Sequence, residues 1–86
     1  MPIKMNYQLV LQFDASNAED LDLLIEIEDR LERALGSSHE VDGHDYGSGE
    51  MNIFIHTNSP YDAFDVIKRN LTSNEIKFMK AAFRGL

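Results

Sequence analysis

The segment Met5–Phe13, MNYQLVLQF, places Met5, Tyr7, Leu9, Leu11 and Phe13 on one side and Asn6, Gln8, Val10 and Gln12 on the other. A period of two sustained over nine residues is the pattern of a strand buried on one face only. The sheet that contains it therefore has one covered side and one polar, open side.

The period changes at once. DASNAEDLDLLIEIEDRLERALG, residues 14–36, carries Leu21, Leu24, Ile25, Ile27, Leu31, Ala34 and Leu35 on a broad stripe at helical spacing. Ser16 stands three residues before Glu19, the spacing of a capping box. Glu19, Asp20 and Asp22 lie in the first turns, where the helix dipole favours anions. Glu26–Arg30 and Asp29–Arg33 have i,i+4 spacing in the better orientation, each worth only about 0.2–0.5 kcal/mol. Gly36 supplies the stop.

Two strands are expected next, at His39–Tyr46 and Glu50–Thr57. A second helix then begins in NSPYDAFDVIKRNL, capped by Ser59 with Pro60 in the first turn, and buries Ala63, Phe64, Ile67 and Leu71. The tail NEIKFMKAAFRGL reads two ways. As a strand it points Met79, Ala81 and Phe83 inward and Lys80 and Arg84 outward; as a helix it gathers Ile76, Met79 and Phe83 on one face, with Gly85 at its end. The strand is preferred because it completes a known layout. The order strand–helix–strand–strand–helix–strand resembles the ferredoxin-like split βαβ plait, an α+β fold with an antiparallel sheet and two helices on one face. The resemblance is one of layout alone, and that layout hosts many unrelated functions.

With 86 residues, one domain is expected, and a hydrophobic fraction of 43% is enough for a packed core. No apolar run approaches the roughly 18 residues of a membrane span, and the alternating start reads as a strand, not a signal peptide. The absence of cysteine removes disulfides, thiolate metal sites and thiol nucleophiles. A bacterial cytoplasm is the expected setting.

Charge is unevenly spread. Residues 14–50 hold twelve acids and two bases, a net of −10, whereas the rest holds three acids and six bases, a net of +3. Such a chain is a poor binder of phosphate backbones, which need clustered Lys and Arg, so nucleic acid is not an expected partner. A basic protein surface is, because opposite fields speed encounter.

The stretch Glu40–Pro60, EVDGHDYGSGEMNIFIHTNSP, concentrates acids, two histidines and three glycines before an apolar run. It fails as a calcium loop: counted from Asp42, positions three, five and twelve are His44, Tyr46 and Ile53. It also fails as a phosphate loop, having no lysine and leading into a strand. It reads first as a hairpin. A three-residue loop, Gly47-Ser48-Gly49, pairs Tyr46 with Glu50, His44 with Asn52, Asp42 with Phe54 and Glu40 with His56. That register sends Val41, Met51, Ile53 and Ile55 to the helices and places Glu40, Asp42, His44, Asn52, Phe54 and His56 on the open face. A two-residue loop moves Asp42 and His44 against the core, at a desolvation cost. A bulge at Gly43 rotates the register again.

Gln8, Gln12 and Asn6 border this patch if the third strand lies beside the first. Glu40, Asp42 and His56 form the group most able to converge on a metal ion. No nucleophile is fixed, so no catalytic residue and no cofactor are assigned. The expected function is a small acidic protein-binding module, inhibitor- or immunity-like, presenting Glu26, Glu28, Asp29 and Glu32. The alternative is a ligand or metal site, with catalysis as its extreme form, built from Glu40, Asp42, His44 and His56 with Gln8, Gln12 and Asn52. A homodimer formed through the open face, acidic end against basic end, is a further possibility.

Overall fold

A computed structural model of the chain describes residues 5–15 and 18–86. The elements run β1 (Tyr7–Asp14), α1 (Ala18–Leu35), β2 (Glu40–Gly47), β3 (Glu50–Thr57), α2 (Pro60–Arg69), α3 (Ser73–Lys77) and β4 (Met79–Gly85). The strands form one antiparallel sheet in the order β2-β3-β1-β4. This is the ferredoxin-like layout expected from the alternation of periods. Ser16, the expected cap of α1, lies outside the described residues.

The sheet is covered on one side. Leu9, Leu11 and Phe13 of β1 and Met51, Ile53 and Ile55 of β3 are buried against Leu24, Ile27, Leu31 and Leu35 of α1 and Ala63 and Ile67 of α2. Each such side chain contributes about 1.5–3 kcal/mol relative to exposure, which makes this layer the main source of stability. Ile25 departs from the expected stripe. It is exposed, on the outer side of α1 with the acids. Thr57 is the buried polar residue of the core edge. Its hydroxyl lies 2.6 Å from His39 Nδ1 and accepts the Ser59 N–H at 2.9 Å. Ser59 precedes α2 as expected but makes no side-chain capping bond; its carbonyl accepts the Ala63 N–H.

Both readings of the tail hold in part. Thr72 and Glu75 form a reciprocal capping box, with Glu75 N–H donating to Thr72 Oγ1 at 3.1 Å and Thr72 N–H to Glu75 Oε1 at 2.8 Å. One helical turn, α3, follows, and the chain then straightens into β4. Met79, Ala81 and Phe83 pair with Phe13, Leu11 and Leu9 on the helix side, and Lys80 and Arg84 pair with Gln12 and Gln8 on the open side.

The hairpin departs from the expected loop. Gly47 pairs with Glu50, so the loop has two residues, Ser48 and Gly49, both with positive φ (55° and 77°). Such a turn matches the twist of the flanking strands. It pairs Tyr46 with Met51, Asp45 with Asn52 and His44 with Ile53. The register then shifts between Val41 and Gly43, where Gly43 adopts φ 141°, and Val41 meets Ile55 and Glu40 meets His56. The bulge restores the expected parity at Glu40 and Val41 and leaves residues 44–46 one step out. A side chain at position 43 has free space around it, so the constraint there is the backbone angle alone.

Gly43→Val is therefore expected to lower the unfolding free energy by about 1–3 kcal/mol. Urea denaturation checks this, and an unchanged midpoint contradicts it.

Candidate functional site

The open face of the sheet is ordered in three rows that cross all four strands. In the first, Arg84, Gln8, His56 and Glu40 are cross-strand partners, with Asp42 of the bulge beside them. The middle row is Ala82, Val10, Phe54 and Gly43. The third is Lys80, Gln12, Asn52 and Asp45. Two polar rows thus flank a short apolar one, and each polar row runs from a base on β4 to acids on β2.

Hydrogen bonds follow the rows. Arg84 Nε donates to Gln8 Oε1 at 3.1 Å, and the Gln8 amide nitrogen lies 3.5 Å from His56 Nε2. The same His56 nitrogen is 3.8 Å from Asp42 Oδ2. It accepts from Gln8 when it carries no proton and donates towards Asp42 when it does. One ligand atom each from Glu40, Asp42 and His56 lies within 4.8 Å of the others. In the third row Gln12 Nε2 donates to Glu50 Oε2 at 3.1 Å and Asn52 Oδ1 at 3.3 Å. The amides of β1 hold the polar side chains of its neighbours in place, a positioning role that the alternation in β1 makes visible.

Of the residues expected on this face, Glu40, Asp42, Asn52, His56, Gln8 and Gln12 are there. His44 is not. The two-residue turn sends it to the helix side of β2, where its Nδ1 meets the Glu28 carboxylate of α1 at 2.9 Å. The expected desolvation cost is avoided because β2 is the edge strand. His44 is still exposed there, and Glu28 supplies a partner. Asp45 takes the open-face place that His44 was expected to fill.

The acidic surface expected from Glu26, Glu28, Asp29 and Glu32 divides in the same way. Glu28 is committed to His44, and Glu26 to Arg30 at 2.6 Å. Asp29 and Glu32 are exposed without an ion pair among the described residues; the expected Asp29–Arg33 pair does not form. Asp29 and Glu32 share the outer side of α1 with Asp22 and the exposed Ile25. Further acids, Glu40, Asp42 and Asp45, lie around the β2 edge on the open side of the sheet.

Arg30 sits at the junction of three elements. Its guanidinium donates to Glu26, to Glu75 at 2.8 Å and to the Asn70 carbonyl at 3.0 Å. The bonds to Glu75 and then to Glu26 hold its pKa above the ordinary arginine value. Burial of Glu75 works against its charged form, but the bonds from Arg30 and Thr72 outweigh it, and its pKa falls below the ordinary carboxylate range. Sequence reasoning gave Arg30 only its helical neighbour.

A concavity of about 380 Å³ lies away from the open face, between α1 and α3, lined by Leu23, Leu24, Ile27 and Phe78 among others. No helix among the described residues is long and apolar enough to cross a membrane. The chain matches no protein-family model, no curated protein and no solved structure at a significant level.

Because the folded pKa of Glu75 is depressed, its contribution is present above its unfolded value, roughly 4.3, and lost as pH falls through the folded value. Glu75→Gln is expected to cost about 1–3 kcal/mol at about pH 7, and the gap from wild type should narrow progressively as pH falls below the ordinary carboxylate range. A gap independent of pH in parallel urea titrations contradicts this.

Proposed function

We propose that the protein is a binding module that docks a basic protein surface through the acidic side formed by the outer face of α1 and by β2. The observation that carries this reading is the set of exposed carboxylates without an ion pair among the described residues: Asp29 and Glu32 on α1, Glu40 and Asp45 on β2. Residues 14–50 contain only two bases, and one of them, Arg30, is consumed within the fold. The bases Lys80 and Arg84 lie on β4, at the sheet edge opposite the acids of β2. Like-signed carboxylates on one side steer a basic partner and repel acidic ones. Exposed Ile25 gives the same surface an apolar contact. An inhibitor-type role fits a surface of this kind.

The test is affinity capture with the whole chain and with Asp29→Lys/Glu32→Lys. Both residues are exposed and neither makes an ion pair among the described residues, so the fold, read by circular dichroism, is expected to survive. Loss of the captured partners in the variant supports the reading, and an unchanged partner set contradicts it.

A second reading concerns the open face, where Glu40, Asp42 and His56 approach one another closely enough to share a divalent ion. One imidazole and two carboxylates suit Zn²⁺ or Mn²⁺ and leave further coordination positions for a ligand. Such binding raises the melting temperature by mass action. A shift with Zn²⁺, Ni²⁺ or Mn²⁺ that His56→Ala removes supports this reading; no shift, or one that His56→Ala leaves in place, contradicts it.

A further inference from the structure

We infer that the open face of the sheet is the contact surface for a second copy of the same chain, the two copies stacked face to face about a two-fold axis parallel to the strands. The stack leaves the outer face of α1, with Asp29 and Glu32, facing outward on both copies, but it takes up Glu40 and Asp45 of β2, so those two cannot serve a basic partner and a second copy at once.

The occupant follows from the order of charges within the rows. A two-fold axis in the contact plane, running along the strands between β1 and β3, lays β4 of one copy over β2 of the other without exchanging the rows. Arg84 then faces Glu40 and Asp42, and Lys80 faces Asp45. In the middle row Val10 faces Phe54, and Ala82 faces Gly43. The largest side chains of that row meet near the axis and the smallest lie at the rim. His56 and Gln8 face each other twice, once on either side of the axis, donor groups against acceptors. The twist of each sheet gives such a stack the aligned crossing of about −30° common to packed sheets.

The other arrangements are opposed by the same charges. A two-fold axis running across the strands exchanges the two polar rows, so that Arg84 lies over Lys80 and Glu40 over Asp45. Pairing two copies along the free edge of β4, antiparallel about Ala82, sets Lys80 beside Arg84. The free edge of β2 carries Glu40, Asp42 and Asp45 together with the bulge at Gly43. Charge and bulges on edge strands discourage edge pairing. Over these three rows the face offers both signs in a self-complementary order; the exposed acids Asp14 and Glu50, partners just beyond the third row, face each other at one end of the stack and oppose it there.

The contact is small. Four strands about 4.8 Å apart and seven residues at about 3.3 Å each give a patch of roughly 20 × 23 Å. That is at the low end of specific interfaces, so the dissociation constant is expected on the order of tens to hundreds of micromolar and should rise with salt.

Sedimentation velocity of the full chain tests this, from about 10 µM to about 500 µM, at low and at high salt. A reversible monomer–dimer equilibrium that weakens with salt is expected. Arg84→Glu should weaken it at least about tenfold, and adding Glu40→Arg to the same chain should recover most of it, because the 84–40 contact regains opposite charges while Asp42 stays opposed to the new acid. Val10→Asp should abolish it. Each variant is checked for folding by circular dichroism; should Arg84→Glu fail to fold, Lys80→Glu and its rescue by Asp45→Arg apply the same logic in the other polar row. A wild type that stays monomeric across the range overturns the inference. So does a dimer indifferent to Val10→Asp, which places the contact elsewhere. A swap that fails to restore association overturns the two-fold arrangement.

Discussion

The pairing of β2 with β3 decides what every polar residue of the sheet can do. Side chains alternate faces with a period of two, so a shift of one step exchanges the helix side for the open side. The Ser48-Gly49 turn sets one parity near the loop, and the bulge at Gly43 reverses it for the outer half of β2. Both devices are needed together. With the turn alone, Glu40 would leave the His56 row and Val41 would leave the core side. With the bulge in place, Val41 joins Ile55 on the helix side while Glu40 and Asp42 reach His56. Because β2 is an edge strand, its displaced residues His44 and Tyr46 remain accessible. They end in polar contacts at the rim, His44 with Glu28 and Tyr46 Oη donating to the Ala15 carbonyl at 3.3 Å.

The covered side and the open side are held by different physics. Aliphatic side chains from β1, β3 and the two long helices make up the covered side, and its contribution is largely indifferent to pH and salt. Arg30 adds a polar clamp to it, binding α1 to the chain around α3 through Glu75 and the Asn70 carbonyl. The open side is a lattice of amides, one imidazole and charges of both signs. Its interactions are individually weak in water. Their order is what carries information for a partner, since complementarity governs specificity and encounter more than affinity.

Much of this was legible in the residues. The alternation in Met5–Phe13 announced the one-sided sheet and put Gln8 and Gln12 beside the polar patch; their bonds to the neighbouring strands are seen only in the structure. The aliphatic stripe of α1 apart from Ile25, the first turn of α2 at Pro60 and the inward set Met51, Ile53 and Ile55 stand where periodicity places them. The trio Glu40, Asp42 and His56 is also brought together as the sequence implied, although by a turn and a bulge in combination and not by a longer loop. His44 was misplaced because a desolvation argument suited to a central strand was applied to an edge strand. The turn α3 was missed although Thr72 and Glu75 carry the capping-box spacing in plain view; the tail was read as all strand or all helix. Arg30–Glu75 was not legible at all. It joins residues 45 positions apart, and only the packing of α1 beside α3 brings them together.

The register of β2 is the claim on which the open face depends, and the lack of native cysteines makes it directly measurable. Antiparallel partners have Cα atoms within the range a disulfide spans, whereas residues one step out of register point to opposite faces. Two double variants distinguish the alternatives: Asp45→Cys/Asn52→Cys and His44→Cys/Asn52→Cys, mildly oxidised at low concentration and scored by thiol alkylation and mass. The observed register predicts ready closure in the first and free thiols in the second. Closure in the second with free thiols in the first would return His44 to the open face and contradict the charge order on which the binding surface rests.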